Sequence, residues 1–193
     1  QRQMCIRDRD IDKPSLFSNI SYFINFQLSK MYFRYFMWNF SGRQNDKQWK
    51  YDLENGNWIS GINIIDEYRL GPQKNLPLDV INNKARNQYY LIPFILGIIG
   101  LIFIFRKNLK VFWPIFLLFI FTGIALKFYL NERVFEPRER DYALVGSFYT
   151  YCIFIGFSFI AISEYLSKYL KNNFSFLLAI VITITSPLLL SFN

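Results

Sequence analysis

Long apolar runs fill the second half of the chain, and a polar, turn-rich stretch lies before them. Residues 89–105 (YYLIPFILGIIGLIFIF) carry no charge. At about 1.5 Å per helical residue they just cross a hydrocarbon core of about 30 Å. A second run, 111–130, contains only Lys127, close enough to the helix end to snorkel to the interface. A third runs from about 143 to 163. The fourth, 174–192, is uncharged and holds Pro187, which is expected to kink it. The pattern predicts four transmembrane helices within 89–193.

Residues 13–40 read as an amphipathic helix. Phe17, Ile24, Leu28, Met31, Tyr35 and Trp38 recur at helical spacing, and Gln27, Lys30 and Arg34 share another face. Such a helix can lie in the headgroup layer, pack on a partner, or serve only as structure. Residues 41–88 carry turn signals at Gly42, Asn55-Gly56, Gly61, Gly71-Pro72 and Pro77. They predict a loop region with little regular structure. Asn55-Gly56, between Tyr51 and Leu53 on one side and Trp58 and Ile59 on the other, predicts a short hairpin with a type I′ turn.

Composition strengthens the membrane reading. The chain is 52% hydrophobic and 20% aromatic, with mean hydropathy +0.15, and its acids fall almost entirely before 89 or within 132–141. The opening QRQMCIRDR resembles a translated sequencing-library adapter, so about residues 1–12 are set aside as non-native, with the true start expected upstream. The net charge of +8 fits phospholipid contact. No spacing typical of a nucleic-acid-binding motif accompanies it, so nucleic acid is not an expected partner. With no His, the commonest general base and most transition-metal sites are excluded. Cys5 lies in the suspect terminus and Cys152 in an apolar run, so no disulfide is expected.

Charge also predicts orientation. Arg106, Lys107 and Lys110 crowd the link between the first two runs, and Lys168 and Lys171 follow the third against Glu164 alone. Cationic links face the cytoplasm. On that rule residues 13–88 and the 131–142 loop share the extracytoplasmic side, as does the end of the fourth run.

The densest ionisable cluster is Glu132, Arg133, Glu136, Arg138, Glu139, Arg140 and Asp141. Alternating acids and arginines at a membrane surface make either ordered ion pairs, a phosphate site or a self-neutralising solvated loop. Arg138 and Arg140 are the candidates for donor-phosphate binding, because a guanidinium fork matches that group. Arg43, Asn45 and Asp46 form a second polar group; Asp46 is a base, a ligand or, more commonly, a turn cap. Asp8-Arg9-Asp10 spells a D-x-D pattern and Asp12 extends it toward a calcium loop, but Asn19 stands where that loop needs Glu. No nucleotide-binding or zinc-protease motif occurs. No cofactor is expected, and no motif supports a divalent metal.

The strings MYFRYFMWNFSGRQND (31–46), NGNWISGI (55–62), KARNQYY (84–90) and PRERDYALVGSFY (137–149) resemble a bacterial family of protein O-mannosyltransferase-like membrane proteins with GT-C glycosyltransferase architecture. The resemblance covers roughly 15–160, and the fourth run matches only as a hydrophobic helix. It implies an all-α polytopic membrane protein, a fragment of a GT-C-like helical bundle in the bacterial inner membrane. Such an enzyme transfers sugar from a polyprenyl-phosphate donor to a protein or glycan acceptor outside the cytoplasm. The catalytic acid of such enzymes lies in a first outer loop, expected upstream of this chain, so the fragment alone is expected to be inactive. Arg138, Arg140 and Asp141 would belong to a site loop, with Glu139, Arg43 and Asp46 as supporting polar residues. The alternatives are a transporter or flippase of lipid-linked sugars, or a structural membrane subunit.

Overall fold

The computed structural model describes residues 14–47, 49, 52–74, 76–131 and 141–191. The polypeptide opens with one uninterrupted helical rod built of α1 (Leu16–Tyr22), a π-helical stretch (Phe23–Phe33) and α2 (Arg34–Phe40). Ser15 caps it, its hydroxyl accepting from the Ser18 amide. A polar region follows: β1 (Gly42–Arg43), α3 (Asn63–Leu70), α4 (Leu78–Ile81) and β2 (Asn87–Gln88). The hydrophobic helices are α5 (Ile92–Lys107), α6 (Leu109–Ile120), a second π segment (Phe121–Ala125), α7 (Leu126–Leu130), α8 (Asp141–Leu166) and α9 (Asn172–Ser191).

Three of these stretches, Leu109–Leu130, Tyr142–Leu166 and Asn172–Ser191, are long and apolar enough to cross a membrane. Their abundant exposed side chains, such as Leu117, Phe121, Val145 and Leu177, are those of helices solvated by lipid. The protein is thus an all-α membrane protein, with only two-residue strands among the described residues. At 16 residues, α5 rises about 24 Å, shorter than a full hydrocarbon core.

Helix α5 runs parallel to α8. The Tyr151 hydroxyl donates to the Phe94 carbonyl (2.6 Å), and thirteen residues along each helix Lys107 meets Glu164. Close approach depends on Gly97 and Gly100: a Cβ at Gly97 would overlap the Tyr151 ring, and one at Gly100 would strike the Phe154 carbonyl. Lipid tails give no hydrophobic drive for helix association, so small residues and dense packing must supply the contact. Helix α6 returns antiparallel to α8, with Phe119 near Tyr151 and Phe154, and Thr122 against Gly146. Helix α9 returns antiparallel as well, its Phe176 on Phe159. A single residue, Asn108, joins α5 to α6 and caps the latter by accepting from the Lys110 and Val111 amides.

Tyr151, level with Phe94, lies ten residues into α8, which begins at Asp141, while Phe94 lies only two into α5, so α8 extends about 12 Å beyond the start of α5. The rod fills that space. Phe36 packs on Phe94, Phe119, Phe148 and Tyr151 with ring centroids 4.7–6.4 Å apart, and Tyr32 shares a 2.6 Å hydrogen bond with Ser147 above Gly123. One aromatic core therefore ties the rod to three hydrophobic helices, α5, α6 and α8.

This packing corrects the helical-wheel reading of residues 13–40. Phe17 and Ile24 are 80% and 51% exposed, whereas Gln27 and Arg34, assigned to the polar face, are 1% and 4% exposed. The cause is the π-helical stretch: i→i+5 bonding rotates each later residue away from the 3.6-residue register. Lys127 is corrected too. It is 1% exposed, buried in α7 where the rod crosses, and does not snorkel.

The hairpin also differs. Residues 42–44 pair with 57–59 through Gln44 N to Asn57 O (3.0 Å) and Ile59 N to Gly42 O (3.1 Å). Gly56 alone of the Asn55-Gly56 pair has positive φ, so the type I′ turn is absent. The Asp52 carboxylate instead caps the Asn55 amide at 2.8 Å. β1 pairs antiparallel with β2, Gly42 opposite Gln88 and Arg43 opposite Asn87. The strand pair anchors the polar region directly above α5. Tyr90 and Leu91, both left-handed, then swing the chain into that helix.

Candidate functional site

The polar region sits at the end of the bundle where α5 begins, α7 finishes at Leu130 and α8 starts. The cationic links lie at the opposite end, joined by Lys107 and Glu164.

Its first assembly is built on the last turns of the rod. Arg34 lies within 5.6 Å of the ring centroids of both Trp38 and Trp49. Its Nε donates to the Lys30 carbonyl (2.9 Å) and its Nη1 to the Gly56 carbonyl. Trp38 Nε1 donates to Asn57 O at 2.9 Å, and Lys30 sits 5.4 Å from the Trp49 ring. Cations over indole faces gain about 0.5–2 kcal/mol each as they lose water. The adjoining loop is held by side-chain amides: Gln44 donates to Leu53 O, Asn45 to Glu54 O, and Asn57 to Asp52 O. These amides satisfy a backbone that neither helix nor sheet serves.

Arg43 covers the Trp38 ring at 5.0 Å. Its Nε is buried and finds no hydrogen-bond acceptor among the described residues. A buried guanidinium N–H loses the solvation it has in water, so it is stabilised by an acceptor, best of all an anionic one.

The second assembly centres on Asp66, 4% exposed. Its carboxylate accepts from the Ser60 amide (2.8 Å), the Ser60 hydroxyl (3.0 Å) and the Gly61 amide (2.8 Å). Asp66 thereby ties the loop before α3 back onto that helix, much as a capping side chain does. Arg69 lies flat on Trp58, 3.4 Å from the ring centre, and donates to the Trp58 carbonyl at 3.0 Å. Arg86 donates to Gln73 Oε1 at 3.3 Å, while its Nη1 is buried without an acceptor among the described residues. Burial pushes both guanidinium groups below their ordinary pKa, and the Asp66 charge opposes the shift.

The structure separates the polar group expected at 43–46. Arg43 faces Trp38, Asn45 turns inward to the Gly56 amide, and Asp46 is exposed with no ion pair to Arg43. Arg138, Glu139 and Arg140 lie outside the described residues, as does the side chain of Asp141, whose backbone opens α8. The sequence reading missed Arg34, Asp66, Arg69 and Arg86. A usable signal was Ser60-Gly61 followed by an acid at 66, the spacing with which a carboxylate reaches back over a helix start. Among the described residues no group of three or more Cys, Asp or Glu could hold a metal ion.

No protein-family model, curated protein or solved structure matches the chain.

Proposed function

We propose that this chain is part of an integral membrane glycosyltransferase that takes sugar from a polyprenyl-phosphate donor and passes it to a protein or glycan acceptor outside the cytoplasm. The observation that carries the reading is Arg43, whose buried Nε has no acceptor among the described residues and whose guanidinium lies over Trp38 at the end of the bundle where α7 finishes and α8 starts. Supporting it are the strings 31–46 and 137–149, which resemble the O-mannosyltransferase-like family. By the positive-inside rule the cationic end faces the cytoplasm, so the arginine–tryptophan end faces out, toward a bacterial periplasm or cell wall.

Cleaving a sugar–phosphate bond builds negative charge on the departing phosphate. Arginines fixed before the reaction stabilise that charge more in the transition state than in the ground state. Arg138 and Arg140 take the phosphate in this proposal, and Arg43 supplies a further N–H donor. The general base belongs to another segment of the full-length enzyme. The test is transfer of a radiolabelled sugar by full-length protein carrying Arg138→Ala, Arg140→Ala or Arg43→Ala. Loss of roughly 10²-fold or more in the two turn variants, with helicity retained, supports the phosphate role; unchanged transfer in both removes it.

Transport of a lipid-linked sugar is the second reading, favoured by Lys127, an ionisable side chain buried inside a span just after a π segment. A Lys127→Met variant that abolishes lipid-linked sugar movement across vesicles while leaving transfer intact would favour it.

A further inference from the structure

At the end of the bundle opposite the proposed transfer site, α5 and α8 diverge around an open groove of about 630 Å³. That volume lies within the span of small-ligand sites, about 300–1,000 Å³. Its floor and walls are apolar, formed by Ile99, Ile102, Phe103 and Ile162. Its mouth is ionic, with Arg106, Lys107, Glu164 and Lys168. Lys107 and Glu164 neutralise one another, Nζ lying 2.7 and 2.8 Å from the two carboxylate oxygens. Arg106 and Lys168 are left over: both are exposed, and neither side chain has a hydrogen bond or ion pair among the described residues. Two cations without a partner among the described residues thus accompany a groove whose lining is otherwise largely apolar, with Ile99 and Ile102 themselves exposed.

A soluble anion has no use for the apolar walls, and a neutral lipid none for the two cations. We propose that the groove binds an anionic phospholipid, with an acyl chain along Ile102 and Ile162 and the phosphate between Arg106 and Lys168. The site is distinct from the one proposed for sugar transfer and stands whether or not that reading does. Basic recesses between helices at a membrane surface suit such headgroups, which also draw on the attraction of Lys and Arg to acidic lipid. The bound lipid would fasten α5, the shortest of the hydrophobic segments, to α8 at the end where their glycine contact has run out.

The test is native mass spectrometry of the whole chain released from nanodiscs of phosphatidylcholine mixed with phosphatidylglycerol. Wild type is expected to retain one phosphatidylglycerol in preference to phosphatidylcholine, and Arg106→Gln with Lys168→Gln to lower that preference about tenfold. Lys110→Gln with Lys171→Gln, which removes two cations outside the groove, is expected to change it less than twofold. Ala161→Trp, which fills the groove, should shed the lipid whatever its headgroup. An equal loss in the two double variants would reduce the effect to general surface charge and overturn the site. So would lipid retention in the tryptophan variant, the absence of headgroup preference in wild type, or a second copy of the chain seated there in place of lipid.

Discussion

The two ends of the bundle use the same cations in opposite ways. At the end that carries the cationic links Arg106, Lys107, Lys110, Lys168 and Lys171 are exposed, and the ion pair Lys107–Glu164 stands half in solvent. At the opposite end Arg34 is enclosed by two indoles, Arg69 is stacked on Trp58, and Asp66 is sealed in a cradle of donors. Exposed charge acts at long range through its sign, which suffices to orient helices in a membrane. Enclosed charge acts through direction and desolvation, which is what recognition of an anion requires. The charge from which orientation is read thus lies at one end of the bundle, and the directed, desolvated charge at the other.

The comparison breaks outright if the ends do not face opposite compartments. In a chain whose cysteines are replaced by Ser, Lys74→Cys should react with an impermeant maleimide only from outside sealed cells, and Lys110→Cys only after permeabilisation. Reversed labelling would overturn the proposed sidedness and the transfer reading with it. Next in size is Gly100→Leu, whose side chain must displace the Phe154 backbone. It should lower stability by about 3 kcal/mol or more, read as a shift in detergent thermal unfolding, and should disturb both ends because α5 links them.

Asp66→Ala sharpens the contrast. It strips an acceptor from three buried donors and a counter-charge from Arg69 and Arg86, so a loss of about 3 kcal/mol is expected, with Asp66→Asn milder. Lys107→Ala should cost less than about 1 kcal/mol, because its ion pair is exposed. Equal losses for the Asp66 and Lys107 variants in the same unfolding assay would erase the distinction between enclosed and solvated charge.

Three of the four expected spans were legible from their residues: the runs at 111–130, 143–163 and 174–192 lie within a few residues of Leu109–Leu130, Tyr142–Leu166 and Asn172–Ser191. The run at 89–105, expected as a fourth, forms helix Ile92–Lys107, whose 16 residues are too few to place it among the helices long enough to span. Of the site, Arg43 was visible as a residue but its setting was not. Its partner Trp38 reads only as one residue on the apolar face of an amphipathic helix, and Asp46, grouped with Arg43 by sequence, turns outward. The Asn55-Gly56 turn misled because Asp52 and the amides of Gln44, Asn45 and Asn57 offer the loop a different set of hydrogen bonds.

Hydropathy and net charge are sums over neighbouring residues, so the chain alone determined that this is a helical membrane protein with cations gathered at the links after the first and third apolar runs. Burial of an individual polar side chain is decided by residues far away in the chain. Gln27, Arg34, Asp66 and Lys127 are enclosed only because the rod crosses the spans and the polar loop folds back on itself. The π-helical stretch adds a second reason: it shifts the register by which a helix presents its faces, and bonding of that kind forms where tertiary packing sustains it.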